Sequence, residues 1–132
     1  MDKKELQKRF KSLGIKTGKL CIKLPFNPAS KVYIDQTIRS STSSAANYRS
    51  ACRAKSKADF INKLKIVEEE LDETMFFYEM IAEFNSEIKT ELRELFIEAN
   101  ELLSIVVASI NTVNSNIIKD SAGKIRNPKS KI

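Results

Sequence analysis

The sequence predicts an all-α fold, and three observations support this class. The chain has 132 residues but only three Gly and three Pro, which favours a few long helices over many short strands. Apolar residues recur at alternating intervals of three and four along most of the chain, as on one helix face. Capping residues stand directly before two of these stripes. A chain of this length should form one domain.

The first predicted helix covers about residues 3–24. Its apolar stripe consists of Leu6, Phe10, Leu13, Thr17, Leu20 and Leu24. Gly14 and Gly18 lie inside the helix, where they either admit a neighbouring helix closely or simply weaken this one. Pro25 ends it, because proline cannot continue a helix.

The second predicted helix covers about residues 28–53, with Asn27 as its cap and Pro28 at its first position. Its stripe is narrow and mostly small: Ile34, Ile38, Ser41, Ala45, Tyr48 and Cys52. The run of Ser and Thr at 40–44 could instead form a flexible linker. We favour the helix, because the periodicity continues through this run and no Gly or Pro interrupts it.

The third and fourth predicted helices cover about residues 57–84 and 87–118. Ser56 and Asp59 form a capping-box pattern at the start of the third. The heptad phase runs unbroken through Asn85, so the sequence also permits one continuous helix. A seven-residue repeat fits left-handed packing in either case. From Lys119 the periodicity stops, and residues 119–132 are expected to form a mobile basic tail.

Near its end the third helix is apolar nearly all round, which one bundle seam cannot cover. Either the fourth helix presents an unusually wide face or another subunit covers the remainder. We expect the subunit. The candidate oligomer contacts are Phe76, Phe77, Met80 and Phe84.

Charge is distributed unevenly along the chain, which has a net charge of +6. Residues 1–65 hold sixteen Lys or Arg and four acids. Residues 66–118 hold two Lys or Arg and twelve acids. The first two helices are therefore basic and the last two acidic. Opposite charges can pair between helices for little energy, but a one-sided basic surface is also typical of nucleic-acid binders.

The stretch from Arg39 to Leu64 resembles a bacterial family of four-helix-bundle proteins named for 23S ribosomal RNA intervening sequences. The residues that carry the resemblance are Gln36, Arg39, Ser41, Ala45 to Arg49, the Arg53 to Asp59 turn, Phe60, Ile61, Lys63, Leu64, Glu70, Glu73, Thr74 and Glu79. The similarity covers about residues 5–118. The chain departs from the family at Ser50, where members often carry Glu.

The resemblance implies a left-handed up-and-down four-helix bundle, which also places the last turn at Asn85-Ser86. It implies a cytoplasmic protein that commonly assembles as a homopentamer and has no established enzymatic activity. A related branch, the accessory variability determinants of diversity-generating retroelements, acts as a basic partner of a reverse transcriptase and nucleic acid.

Catalytic and cofactor chemistry find no support in the residues. The chain has no His, so His-assisted nucleophiles, zinc sites and the usual di-iron ligands are absent. Consecutive acids such as those at 68–70 point in different directions on a helix and cannot together enclose a metal. We expect no enzyme, no cofactor and no metal site.

The cellular setting is predicted from three features. The charged start is followed by no signal-peptide core, and the apolar run at 102–110 is shorter than a membrane span. Cys21 and Cys52 fit no metal or redox spacing, so we favour reduced core thiols over a disulfide. These features indicate a soluble cytoplasmic protein without a membrane partner.

Two function hypotheses remain. In the first, an oligomer presents a basic corner between the second and third helices to RNA, DNA or an RNA-handling protein. The candidate binding residues are Arg39, Arg49, Arg53, Lys55, Lys57 and Lys63. In the second, the chain is a self-assembling scaffold whose basic and acidic faces meet between subunits, with no nucleic-acid ligand.

Overall fold

The computed structural model describes residues 1–126, with side-chain surroundings for residues 1–123. This part of the chain contains four α-helices and no strand: α1 (Lys3–Ile22), α2 (Pro28–Ala51), α3 (Lys57–Phe84) and α4 (Lys89–Arg126). Each helix packs on the next one in the chain, and α4 packs back on α1. Short connections make consecutive helices antiparallel. The predicted all-α four-helix bundle is confirmed, and its left-handed sense stays a prediction.

The helix starts follow the capping residues of the sequence. Asn27 Oδ1 accepts hydrogen bonds from the backbone amides of Ala29 and Ser30, at 3.0 and 3.2 Å. Ser56 Oγ accepts from the amide of Asp59 at 3.0 Å, and the Asp59 carboxylate accepts from the Lys55 amide. These bonds satisfy amide groups that a helix start would otherwise leave unpaired.

A break at Asn85 separates α3 from α4 and decides against one continuous helix. The backbone of Asn85 leaves the helical region, and a 3-10 turn, Ser86–Ile88, precedes α4. The buried Asn85 amide donates to the Ile81 carbonyl at 3.0 Å and to Ser30 Oγ of α2 at 3.1 Å. This side chain ties the turn to the start of α2.

At its other end α4 extends further than the sequence suggested. Residues 119–126 continue the helix past the predicted end at 118. Gly123 is the single Gly or Pro in residues 119–127, so no residue forces α4 to end at 118. Asp120 accepts from Lys57 Nζ at 3.0 Å, which connects this segment to the start of α3. The remainder of the predicted tail, 127–132, lies outside the described residues.

The side chains that α1, α3 and α4 contribute to the core are mostly apolar, whereas those of α2 are mostly small and polar. The fully buried large side chains of the core include Phe10, Leu13, Leu64, Leu71, Tyr78, Ile81 and Leu102. The face of α2 is small and hydroxylated, with Ser30, Thr37, Ser40, Ser41 and Ser44 all buried. The Ser-rich run is thus a packed helix face, not a linker. Cys21 and Cys52 are free thiols.

By length and apolar composition alone, α4 would also pass as a membrane-crossing helix. In the bundle its stripe from Ile88 to Ile110 forms one wall of the core. Core packing therefore accounts for this stripe, whereas Ile97 and Ile118 of the same helix are 58% and 67% exposed.

Candidate nucleic-acid interface

The six cations predicted to bind nucleic acid do not form one cluster. Arg39 lies in the middle of α2, away from the α2–α3 turn, and its guanidinium pairs with Glu73 at 2.7 Å and Glu70 at 3.2 Å. The hydrogen bond that Arg39 donates to Glu73 raises the pKa of Arg39. Arg39 therefore serves as an ionic tie between α2 and α3, and its charge is already partnered.

Two further candidates also have partners within the chain. Lys57 pairs with Asp120, and Lys63 pairs with Asp59 one helical turn earlier, both at 3.0 Å. The Lys63 ammonium, followed by the Lys55 backbone amide, lowers the pKa of Asp59. The corner between α2 and α3 thus carries less free positive charge than the sequence suggested.

Arg49 and Arg53 behave differently. In the part of the chain whose side chains are described, neither they nor Lys55 form an ion pair. Arg49 lies in the last turn of α2 and Arg53 lies two residues after the helix ends, and both line the side that faces α1. Lys55 is exposed in the turn and lies apart from that edge.

Between α1 and α2 runs an open groove with a volume of about 800 Å³, which we call the α1–α2 groove. Its cations are Lys4, Lys8 and Lys11 from α1, Arg49 from the last turn of α2 and Arg53 from the turn that follows. Its other lining residues are Gln7, Gly14, Ile15, Gly18, Ile38, Thr42, Ala45 and Ala46. Five cations and no acid line this groove.

The close approach of α1 and α2 brings these cations together. A Cβ atom on Gly14 would lie 3.4 Å from Thr42 Cγ2 and 3.7 Å from Thr42 Cα. Because α1 and α2 are antiparallel and Gly14 lies beside Thr42, the start of α1 lies beside the end of α2. The two alternatives for these glycines, close approach of a neighbouring helix or simple weakening of α1, apply to different residues. Gly14 admits the neighbouring helix, whereas a Cβ on Gly18 would meet nothing within 4 Å.

The lysines of α1 were absent from the sequence-based site. Lys4, Lys8 and Lys11 are spaced by four and three, which places them on one helix edge. From that spacing, the sequence could have predicted a positively charged edge on α1. Only the register between α1 and α2 shows that this edge faces Arg49 and Arg53.

A second groove, between α1 and α4, provides an electrostatic contrast. It has a volume of about 400 Å³ and is lined by Lys16, Lys19 and Lys23 opposite Glu91, Glu94 and Glu98. Beside it, Arg9 forms two hydrogen bonds with Glu98, at 2.7 and 2.9 Å. Opposite charges therefore face each other across the α1–α4 seam. The α1–α2 groove, in contrast, carries charge of one sign.

The predicted oligomer contacts are partly covered within the chain. Phe76 and Phe84 are 52% and 47% exposed, whereas Phe77 and Met80 are half-buried. Tyr33 of α2 stacks on Phe77 with ring centroids 6.2 Å apart and lies 5.7 Å from the Phe84 ring. Tyr33 was missed because its place on α2 gave no sign of the α3 partner. These rings form one aromatic cluster with an open side at Phe76.

Comparison with known families identifies the chain. The model of a family described as 23S rRNA-intervening sequence protein matches residues 3–108. The chain belongs to this family. The matched residues include the whole α1–α2 groove and the aromatic cluster. The last part of α4 lies beyond the match.

A solved structure shares this fold. It is a protein of unknown function from the S23 ribosomal protein family of Bacteroides thetaiotaomicron, with a TM-score of 0.74 and 26% sequence identity. The similarity covers 84% of this chain and 99% of the other. The comparison with curated proteins found no match to this chain.

The described side chains offer no metal-binding geometry. Over the described residues, no group of three or more His, Cys, Asp or Glu side chains lies close enough to hold an ion. The acids at 68–70 spread around α3 as their consecutive positions require.

Proposed function

We propose that this protein is a non-enzymatic module that binds the phosphate backbone of nucleic acid in the α1–α2 groove. The observation that supports the proposal is the set of five cations on both edges of one groove without a lining acid. Lys and Arg side chains neutralise phosphates and release counterions, which drives binding with little dependence on sequence.

The groove replaces the α2–α3 corner as the proposed site. Arg49 and Arg53 stay in it, and Lys4, Lys8 and Lys11 join them. Arg39, Lys57 and Lys63 leave it because intrachain carboxylates already neutralise them. Lys55 stays outside as an exposed neighbour that can add only long-range attraction.

A salt titration of nucleic-acid affinity tests the proposal. If all five cations engage phosphates of a duplex, the slope of log affinity against log salt should be about −4.5. Affinity should then fall several hundredfold between about 50 and 200 mM salt. Arg49→Gln plus Arg53→Gln should weaken binding and reduce the slope by about two, measured by fluorescence anisotropy.

The matched control changes two exposed lysines that lie outside the groove, Lys65→Gln plus Lys89→Gln. This variant loses the same charge, so net-charge effects alone would alter both variants equally. Equal losses in the two variants would contradict the groove as the site. Absence of binding at about 50 mM salt would favour the scaffold function instead.

Self-association is the second element of the proposal, and the aromatic cluster supports it. A half-exposed Phe76 beside Phe77, Phe84 and Tyr33 gives a compact apolar surface at the α2–α3 edge. Surfaces of this kind commonly mark protein contacts. An oligomer would repeat the groove and convert weak single contacts into appreciable avidity. A pentamer remains the expectation from the family resemblance.

A further inference from the structure

The α1–α2 groove has two chemically different halves along its length. Its cations lie where α1 begins and α2 ends, at Lys4, Lys8, Lys11, Arg49 and Arg53. Further along α1 the lining has no charge and consists of Gly14, Ile15, Gly18, Ile38, Thr42 and Ala45. We call this second part the neutral half.

The neutral half is open and apolar. A Cβ atom built on Gly18 would meet nothing within 4 Å, so free space lies directly above the helix backbone there. Ile15 is 47% exposed on the same lining. The Thr42 hydroxyl donates to the Ile38 carbonyl of its own helix at 2.7 Å, so its proton is already used. The surface therefore offers van der Waals contact with little hydrogen-bond readout.

A ligand that fits both halves carries negative charge next to an apolar group. Nucleotides combine a phosphate with a base in this way. The bases of a duplex are stacked inside and present only their edges, whereas single-stranded bases can turn outward. We propose that the α1–α2 groove selects single-stranded nucleic acid, with phosphates at the cationic half and a base against the neutral half.

This inference rests on the proposed function and adds the ligand class. Contact is made through Ile15, Ala45 and the backbone at Gly18, so binding should tolerate any base. No aromatic ring lines the groove, so the contact is weaker than the stacking of aromatic platforms.

Filling the neutral half without changing charge tests the inference. Gly18→Leu would project a side chain into the open space, and Gly18→Ala is the control that restores helix propensity but fills little of it. The probes are a fluorescent twelve-nucleotide single strand, the same strand with abasic sites, and the same strand in a duplex. All three present phosphates, but only the first presents free bases.

Gly18→Leu should weaken binding of the intact single strand by about fivefold relative to Gly18→Ala, the effect of losing a small buried apolar area. Binding of the abasic strand and of the duplex should change less than twofold, about the limit of such measurements. The salt slope should stay constant, because no phosphate contact is removed.

The outcomes separate the two claims. If wild type binds no probe at about 50 mM salt, the proposed function fails and the base site fails with it. If all probes bind but Gly18→Leu equals Gly18→Ala, phosphate binding stands and the base site is wrong. If Gly18→Leu instead changes the mass of the assembly in light scattering, a second copy occupies the groove, which also overturns the inference.

Discussion

Thr37 illustrates how single hydroxyl groups behave in the small, polar face of α2. Its Oγ1 atom is fully buried and forms no hydrogen bond with any described residue. Ser40, one turn later, shares a hydrogen bond of 2.7 Å with Thr74 of α3. An unpaired buried hydroxyl costs free energy, whereas a paired one is close to neutral or favourable.

Thr37→Val should therefore stabilise the protein. Valine has nearly the same shape and removes the unpaired oxygen, so the free energy of unfolding should rise by about 1 kcal/mol in urea denaturation. Thr74→Val is the matched control, and it should lower the same quantity by about 1 kcal/mol because the hydrogen bond between Ser40 and Thr74 is lost. Destabilisation by Thr37→Val comparable to that control would show that Thr37 has a polar partner after all.

Cys21 gives the protein a pH-dependent stability. Burial raises the pKa of its thiol from 9.0 to about 11. The unfolded chain loses this proton at lower pH than the folded chain does, so stability is complete below about pH 9 and is lost as pH rises towards 11. Cys21→Ala should reduce the fall in unfolding free energy between these values by roughly 2 kcal/mol. Parallel stability curves for wild type and variant would contradict this account.

At the scale of the helices, the two glycines of α1 have separate roles. Gly18 has open space above it, so Gly18→Ala should gain helix propensity and stabilise the protein by about 1 kcal/mol in chemical denaturation. Gly14→Ala gains the same propensity, but its methyl group would lie 3.4 Å from Thr42 Cγ2, at the tight limit of ordinary van der Waals contact. It should be the less stable of the two variants. Equal stabilisation by the two variants would contradict this, because it would mean that α1 and α2 accommodate the added methyl group without loss of free energy.

Helix starts were predictable because capping is local. Asn27 and Ser56 bond to amides within three residues, so their pattern is visible in a short stretch. The break at Asn85 was placed by the family resemblance alone, because its buried side-chain amide bonds to Ser30, distant in the chain, and no local pattern shows that bond. The end of α4 was misplaced because loss of apolar periodicity was taken as loss of helix, although exposed polar residues can continue one.

At the scale of the whole molecule, the basic and acidic halves were visible from the sequence, but the location of free charge was not. Arg39 in the middle of α2 and Arg53 just after its end carry the same charge, yet one pairs with the acids of α3 and the other lines a groove with the lysines of α1. The relative placement of α1, α2 and α3 decides between these environments. No local pattern reports that placement.

Self-association through the aromatic cluster is testable by mass. Phe76→Glu places a charge on the exposed ring position, so the oligomer should dissociate towards the monomer mass of 15.0 kDa in light scattering. Ile66→Glu is the control, since Ile66 lies on the same helix with similar exposure. A wild-type monomer at micromolar concentration, or the same assembly in both variants, would contradict a contact at this cluster.

The central claim, that nucleic acid binds in the α1–α2 groove, is tested most directly by lysine footprinting. The full-length protein is acylated with and without a single-stranded oligonucleotide, and the reaction rate of each lysine is read by mass spectrometry. The account predicts that Lys4, Lys8 and Lys11 become protected, while Lys65 and Lys89 react at unchanged rates. Protection confined to Lys55, Lys57 and Lys63 at the α2–α3 turn, or equal protection of all lysines, would contradict it.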